Sequence, residues 1–104
     1  MNTGCYMGRL VRDPEMKEFE NGTILAKFTL AVKRFSKVDK VDYLPFQIWG
    51  EQAKQIGTTL SKGQRLAVYN CDIETSSYED KDGNKHNTWW LNVGRFEYIE
   101  KKDE

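Results

Sequence analysis

The sequence predicts an all-β domain with one short helix, in which five strands close into a barrel. Two observations favour this fold class: apolar and polar residues alternate with a period of two in several segments, and only one segment has helical spacing. The 104 residues suffice for one core, and 38% hydrophobic with 31% charged residues is typical of a soluble globular domain.

The first two predicted strands lie before residue 34. Residues 5–11 form an apolar stretch that ends at Asp13-Pro14, because proline lacks the N–H that a continuing strand would use. Asn21-Gly22 is a turn signal, and a regular alternation follows it. Its apolar members are Ile24, Ala26, Phe28, Leu30 and Val32. This period of two predicts a strand with one buried face.

The remaining segments complete the barrel. Residues 41–50 predict a third strand, and residues 51–60 a helix, because Ala53, Ile56 and Leu60 recur at helical spacing. Strands over 65–77 and 86–99 follow, with a hairpin turn at Asp82-Gly83. A helix between strands three and four fits the OB-fold, a five-stranded Greek-key barrel, although other small barrels share this layout. We predict an OB-fold domain over residues 1–100 and a short charged end over 101–104.

The third strand places aromatic side chains on its solvent side. Its predicted core-facing residues are Leu44, Phe46 and Ile48. Tyr43, Gln47 and Trp49 then share the opposite face, beside the basic segment 33–40. Because every unpaired base has a flat π-face, such aromatics can bind single strands without reading sequence. This pattern indicates a stacking surface at Tyr43 and Trp49.

Other aromatics allow two interpretations. Phe35 and Tyr78 fit the same stacking scheme, although each could instead fold over its own hairpin. Trp89 and Trp90 must point to opposite sides of a strand. Trp89 aligns with Leu91, which predicts a core position. Trp90 is either a further base platform or part of a subunit interface.

The charge is unevenly distributed although its sum is zero. Residues 1–70 hold 11 Lys and Arg against 7 Asp and Glu, whereas residues 71–104 hold 5 against 9. Segment 27–40 alone holds five basic residues and one acid. Phosphates respond to charge within about 10 Å, so a local basic region can bind them. A solvated lysine-rich loop would have the same composition.

The sequence offers little for catalysis or metal binding. Cys5 and Cys71 could form a disulfide, but two small buried thiols are the favoured prediction for an intracellular chain. His86 is predicted to be a solvated residue in a polar turn. One histidine without a close cysteine pair is too few ligands for zinc, and no nucleophile has an adjacent base. We expect no enzyme, metal or cofactor. Without a signal peptide or an apolar run that could span a membrane, we expect a cytoplasmic location.

Several short motifs resemble the bacterial and phage single-stranded DNA-binding protein family, in order and spacing. They are MGRLVRDPE at 7–15, NG at 21–22, FTLAVKR at 28–34, DY at 42–43, WGEQA at 49–53 and KG at 62–63. The resemblance implies an OB-fold that coats single-stranded DNA in replication, recombination or repair. An OB-fold protein–protein adaptor of the primosome type is the alternative.

The resemblance also implies site residues. Tyr43 and Trp49 fall where the family places two base-stacking aromatics, Tyr78 falls at a third, and Phe35 lies within a residue of a fourth. The resemblance implies that Lys17, Arg34 and Lys62 lie near DNA, and the basic segment adds Lys33 to this set. Family members are usually homotetramers that first pair through the opening strand, and a dimer is the other possibility. The residues expected at that interface are Thr3, Cys5, Met7 and Arg9.

Three departures from the family pattern alter these expectations. The segment before Tyr78, usually basic, contains Glu74 and uncharged residues, which should weaken phosphate contacts there. A glycine expected in the fourth strand is replaced around Asn70 and the segment is one residue longer, which predicts a bulge that could alter how dimers pack. The family's glycine-rich linker and acidic tail are absent, so we do not expect tail-dependent recruitment of replication and repair enzymes.

Overall fold

A computed structural model describes residues 1–37 and 39–99 of the chain. The predicted domain end at residue 100 and the charged end over 101–104 lie outside the described residues. The described part contains seven strands and one helix. They are β1 (Gly4–Leu10), β2 (Glu15–Glu18), β3 (Ile24–Lys33), β4 (Val41–Trp49), α1 (Glu51–Thr59), β5 (Arg65–Glu79), β6 (Lys85–Asn92) and β7 (Arg95–Tyr98).

Five of these strands form a closed ring in the order β1–β3–β4–β6–β5, and pairing of β1 with β5 closes it. This confirms the predicted five-stranded barrel with its helix between the third and fourth ring strands. β7 continues the predicted fifth strand after a break at Val93 and Gly94, and pairs with β5. The short strand β2 was not predicted, and it pairs with the first four residues of β3.

The core fills the ring, and its buried side chains come from every ring strand. They include Leu10, Leu30, Phe46, Ile48, Leu66 and Leu91. Helix α1 contributes Ala53 and Ile56, as its spacing predicted. Burying one large apolar side chain contributes about 1.5–3 kcal/mol. The core therefore fixes the inward face of each strand, and with it the outward face.

A β-bulge interrupts β5 at Asn70, where the sequence predicted one. Gly4 pairs with Cys71 and Tyr6 with Val68, so two residues of β5 oppose one residue of β1. Asn70 adopts a φ of 55°, a left-handed conformation that asparagine tolerates better than most residues. β5 changes partner at the bulge, pairing with β7 before it and with β6 after it.

Beyond the bulge, β5 and β6 extend from the ring as a hairpin arm. Cys71 and Leu91 are buried at its base, whereas Ile73, on the same arm, is 48% exposed. Trp89 was predicted to be a core residue, and this prediction is wrong because its side chain is 43% exposed. Trp89 is two positions from Leu91 on β6, but the barrel does not extend far enough to cover it.

The two thiols differ in environment. Cys71 is a buried free thiol, and burial, followed by the nearby Cys5 and Asp72, raises its pKa to about 11. Cys5 is exposed, so the prediction of a second buried thiol is wrong. The reason is that β1 turns alternate side chains outward, and Cys5 lies on that outer face with Met7 and Arg9.

Candidate nucleic-acid interface

The outer face of β4 presents the aromatic pair that the sequence predicted. Phe46 and Ile48 are buried, while the side chains of Tyr43 and Trp49 are 66% and 47% exposed. Alternation places Pro45 and Gln47 between them on the same face. Since β3 and β2 continue the sheet beside β4, this aromatic pair stands on a broad outer surface.

Trp49 is not an isolated platform, because Phe19 stacks against it. The two ring centres are 5.6 Å apart with an interplanar angle of 25°. The Nζ atom of Lys17 lies 5.0 Å from the centre of the Phe19 ring, in cation–π contact. The register explains the cluster, because Leu25 of β3 pairs with Trp49 on one side and with Lys17 on the other. Sequence reasoning identified Lys17 but missed Phe19, whose only signal was its place before the Asn21-Gly22 turn.

The end of β3 and the segment that follows it hold three predicted residues, which differ in exposure and in bonding. Phe35 is fully exposed and Lys33 ends β3 on the surface. Arg34 makes a bidentate ion pair with Asp42, with Nε donating to Oδ2 at 2.9 Å and Nη2 donating to Oδ1 at 3.1 Å. These hydrogen bonds raise the pKa of Arg34 and lower the pKa of Asp42. The Arg34 charge is therefore largely compensated within the protein.

At the tip of the hairpin arm, Tyr78 stacks on His86, with ring centres 5.1 Å apart. His86 Nε2 lies 2.7 Å from Oδ2 of Asp80. The hydrogen bond with His86 is the main cause of a lowered pKa at Asp80, and the backbone N–H groups of Asn84 and Asp82 add to it. His86 was predicted to lie solvated in a turn. It is exposed, but it belongs to β6 and is held by both neighbours.

The arm joins β4 through a polar network around Asn92. Asn92 Oδ1 accepts hydrogen bonds from Gln47 Nε2 at 2.8 Å and from Trp90 Nε1 at 3.1 Å, and its Nδ2 donates to Glu74 Oε1 at 2.8 Å. The alternation of β6 places Trp90 and Asn92 on the outer face, with Gln47 beside them. Glu74, which departs from the family pattern, has a structural partner here.

Two groups of predicted residues lie apart from the aromatic pair. Lys62 occupies the turn between α1 and β5, where its backbone N–H donates to Asp13 Oδ1 at 2.8 Å. On β1, the exposed side chains of Cys5, Met7 and Arg9 alternate along one outer face, and Thr3 precedes them. The structure does not bring either group into contact with Tyr43 or Trp49.

Comparison with known proteins identifies the family. The model of the single-strand binding protein family matches residues 1–99. The chain belongs to this family. Its family membership accounts for the ring of five strands, which is the OB-fold, and indicates a protein without enzymatic activity.

The chain is similar to single-stranded DNA-binding proteins from several bacteria. A single-stranded DNA-binding protein of Clostridium perfringens is 38% identical over 101 residues, covering 96% of this chain and 67% of the relative. Single-stranded DNA-binding protein 2 of Clostridium acetobutylicum is 42% identical over 89 residues, covering 82% and 66%. Single-stranded DNA-binding protein 1 of a Nostoc species is 30% identical over 105 residues, covering 100% and 87%. The chain thus spans about two thirds of the clostridial relatives' length.

Two further features of the described residues concern membrane insertion and metal binding. No helix within 1–37 and 39–99 has the length and hydrophobicity needed to cross a membrane. In the same part of the chain, no three His, Cys, Asp or Glu side chains group as metal ligands.

Proposed function

We propose that this protein binds single-stranded DNA without sequence preference, through the outer face of β2, β3 and β4 and the adjoining hairpin arm. The observation that carries the proposal is the pair of exposed aromatics, Tyr43 and Trp49, on the outer face of an OB-fold ring. Membership of the single-strand binding protein family, and the names of the bacterial relatives, support the same function.

The chemistry of this face fits an unpaired strand. A base stacked on an aromatic ring contributes about 1–3 kcal/mol, and any base can stack. Lys17 and Lys27 lie on the outer faces of β2 and β3, and Lys33 lies at the end of β3, so phosphates between stacked bases would meet cations. Phe35 and Tyr78, both exposed, extend the aromatic surface towards the basic loop and the arm.

The adaptor alternative is not favoured. An adaptor would bury its aromatics against a protein partner and would have no need of cations along the same face. Family membership favours the binding of DNA as well.

Assembly through β1 completes the proposal. β1 pairs with β5 from Gly4 to Arg9, but it pairs with β3 only at Arg9 and Leu10. Among the described residues, no strand pairs with the edge of residues 4–8 that faces away from β5. Exposed strand edges favour pairing with another chain. We infer that a second copy adds there, burying the outer face with Cys5 and Met7, and that the resulting dimer or tetramer acts on DNA in the cytoplasm.

Titration of tryptophan fluorescence with a thymidine oligonucleotide tests the function. Stacking on Trp49 should quench the emission at low salt, and added salt should reverse the quenching because phosphate contacts are salt-dependent. A blunt duplex of the same length serves as the control and should quench far less. Absence of quenching by the single strand at low salt, with no binding by anisotropy of a labelled oligonucleotide, would contradict the proposal.

The variant Tyr43→Ala makes the test specific to the face. It should weaken binding by about 1–3 kcal/mol, because one stacking platform is lost. Tyr98→Ala is the matched control, since Tyr98 is also partly exposed but contacts Thr59 of α1. Equal affinities of the two variants would place the strand elsewhere on the molecule.

A further inference from the structure

The hairpin arm and β4 separate at Pro45. β4 and β6 pair in parallel at Phe46 with Leu91 and at Gln47 with Asn92, and Val93 N–H donates to the Gln47 carbonyl at 2.9 Å. The same register continued by one residue would place Trp90 beside Pro45. The pairing stops before that point, so β6 diverges from β4 there.

The backbone direction explains why it stops. The Thr29 carbonyl accepts a hydrogen bond from Val11 N–H at 3.1 Å, so the backbone groups of Thr29 point away from β4. Thr29 pairs with Pro45, which makes this a non-hydrogen-bonded pair, and the backbone of Pro45 therefore faces β6. Since proline has no N–H, it cannot continue the ladder towards β6.

The separation of the strands leaves a cleft of about 310 Å³, with Thr88, Trp89 and Trp90 on the arm side and Thr29 and Pro45 on the sheet side. Trp90 is half-buried. Its Nε1 donates to Asn92 Oδ1, which ties the edge of the indole to the base of the arm. The indole therefore has its polar group satisfied and its position fixed before any ligand binds.

The cleft is continuous with the proposed DNA-binding face. Pro45 and Gln47, which line it, stand between Tyr43 and Trp49 on the same side of β4. Arg12 and Lys27 also line the cleft, against one acid, Glu15, so its net charge suits a phosphate backbone. An anchored aromatic wall next to cations has the composition of a site for a base of a single strand.

We propose that Trp90 is a further base-stacking residue of this protein, and that the cleft between Trp90 and Pro45 holds one base of the bound strand. This inference rests on the proposed single-stranded DNA binding. It adds Trp90 to the aromatic residues that resemblance to the family implies. A base bound in this cleft would lie between the Tyr43–Trp49 face and Tyr78 on the arm, so the DNA strand would pass from one to the other.

The three tryptophans of the chain allow a direct test. The double variant Trp49→Phe with Trp89→Phe leaves Trp90 as the sole tryptophan in its native surroundings. Thymidine oligonucleotide should quench its emission. The control titrates the same protein with a blunt duplex of equal length, which should quench the Trp90 emission much less. Binding by this protein is verified by anisotropy of a labelled oligonucleotide.

Affinity provides a second readout. Trp90→Leu keeps an apolar side chain but removes the flat ring, and should weaken binding about 5- to 150-fold. Trp90→Phe keeps a ring and should stay close to wild type. Tyr98→Leu is the control, since Tyr98 is also partly exposed but contacts Thr59 of α1, and it should bind as wild type does. If Trp90 only packs against the arm, Leu and Phe at position 90 will have equal affinities and differ only in thermal stability.

The outcomes separate this inference from the proposed function. If wild type fails to bind the oligonucleotide, the proposed function fails and the inference fails with it. If wild type binds and Tyr43→Ala weakens binding, but the Trp90-only protein is not quenched on binding, the inference alone is overturned. Should Trp90→Leu fail to fold by circular dichroism, the single-tryptophan comparison still decides, since it retains the native Trp90.

Discussion

Trp49 has a protein partner on one of its two faces. Phe19 stacks there and Lys17 covers the Phe19 ring, while Leu25, the residue paired with Trp49 in β3, is buried. A base can therefore stack only on the remaining face of the indole. In the proposed role, Trp49 stacks a base and also supports the sheet, so its replacement should lower stability as well as affinity.

A double-mutant cycle on Phe19→Ala and Trp49→Ala measures this support. Stacked aromatic pairs contribute about 0.5–1.5 kcal/mol beyond their buried area, so we expect a coupling free energy of that size in urea denaturation. The control cycle combines Phe19→Ala with Trp89→Ala, whose side chain lies on the hairpin arm, and should be additive within about 0.3–0.5 kcal/mol. Additivity in both cycles would show that the stack contributes nothing in solution.

At the scale of elements, the bulge in β5 determines where the hairpin arm begins. Asn70 holds the left-handed conformation, and Gly94 N–H donates to the Tyr69 carbonyl across from it at 3.1 Å. A Cβ atom on Gly94 would lie 2.9 Å from the Asn70 carbonyl oxygen, so the break between β6 and β7 fits closely against the bulge. β5 can pair with β7 and then with β6 because both interruptions occur together.

Substitution at Asn70 tests the conformational requirement. Asn70→Val should lower the free energy of unfolding by about 1–3 kcal/mol, because a β-branched residue is strained at a φ of 55°. Asn70→Gly should cost much less, since glycine adopts this conformation freely. Asp72→Val, two residues further along β5, is the control and should be close to neutral. Equal loss at positions 70 and 72 in urea denaturation would argue against a strained bulge.

The sequence predicted those features that depend on local period. The outward direction of Tyr43 and Trp49 follows from alternation alone, whereas the bulge near Asn70 was predicted from one extra residue relative to the family pattern. Trp89 obeys the same alternation but is exposed, because its burial depends on where β6 leaves the ring. The pairing of β6 with β4 ends next to Pro45, which lies on another strand, so no pattern within β6 could have revealed that point.

Contacts between elements could not be predicted from the sequence either. The Phe19–Trp49 stack requires β2 to pair with β3, and the four residues of β2 are all exposed and show no alternation. The Arg34–Asp42 ion pair joins residues eight positions apart across a loop, and its formation depends on the path of that loop. The sequence thus predicted which residues lie on the candidate face, but not which of them are already paired.

For the whole molecule, the distribution of charge matters more than its sum of zero. The first 70 residues carry an excess of four positive charges, and the remainder carries an equal excess of negative ones. Among the acids, Asp80 and Glu74 are held by His86 and Asn92 on the hairpin arm. We expect a bound strand to follow Lys17, Lys27 and Lys33 along the outer faces of β2 and β3 and to reach the arm through its aromatics, not its charges.

The salt dependence of binding tests this charge distribution, and it separates Lys33 from Arg34. For single strands, each phosphate contact contributes about 0.7 to the slope of log affinity against log salt concentration. Lys33→Gln should therefore reduce the slope by about that amount. The double variant Arg34→Gln with Asp42→Asn removes a pair that is already neutral, so it should leave the slope nearly unchanged. If the double variant reduces the slope as much as Lys33→Gln does, Arg34 must leave Asp42 on binding and contact a phosphate, as the sequence alone predicted.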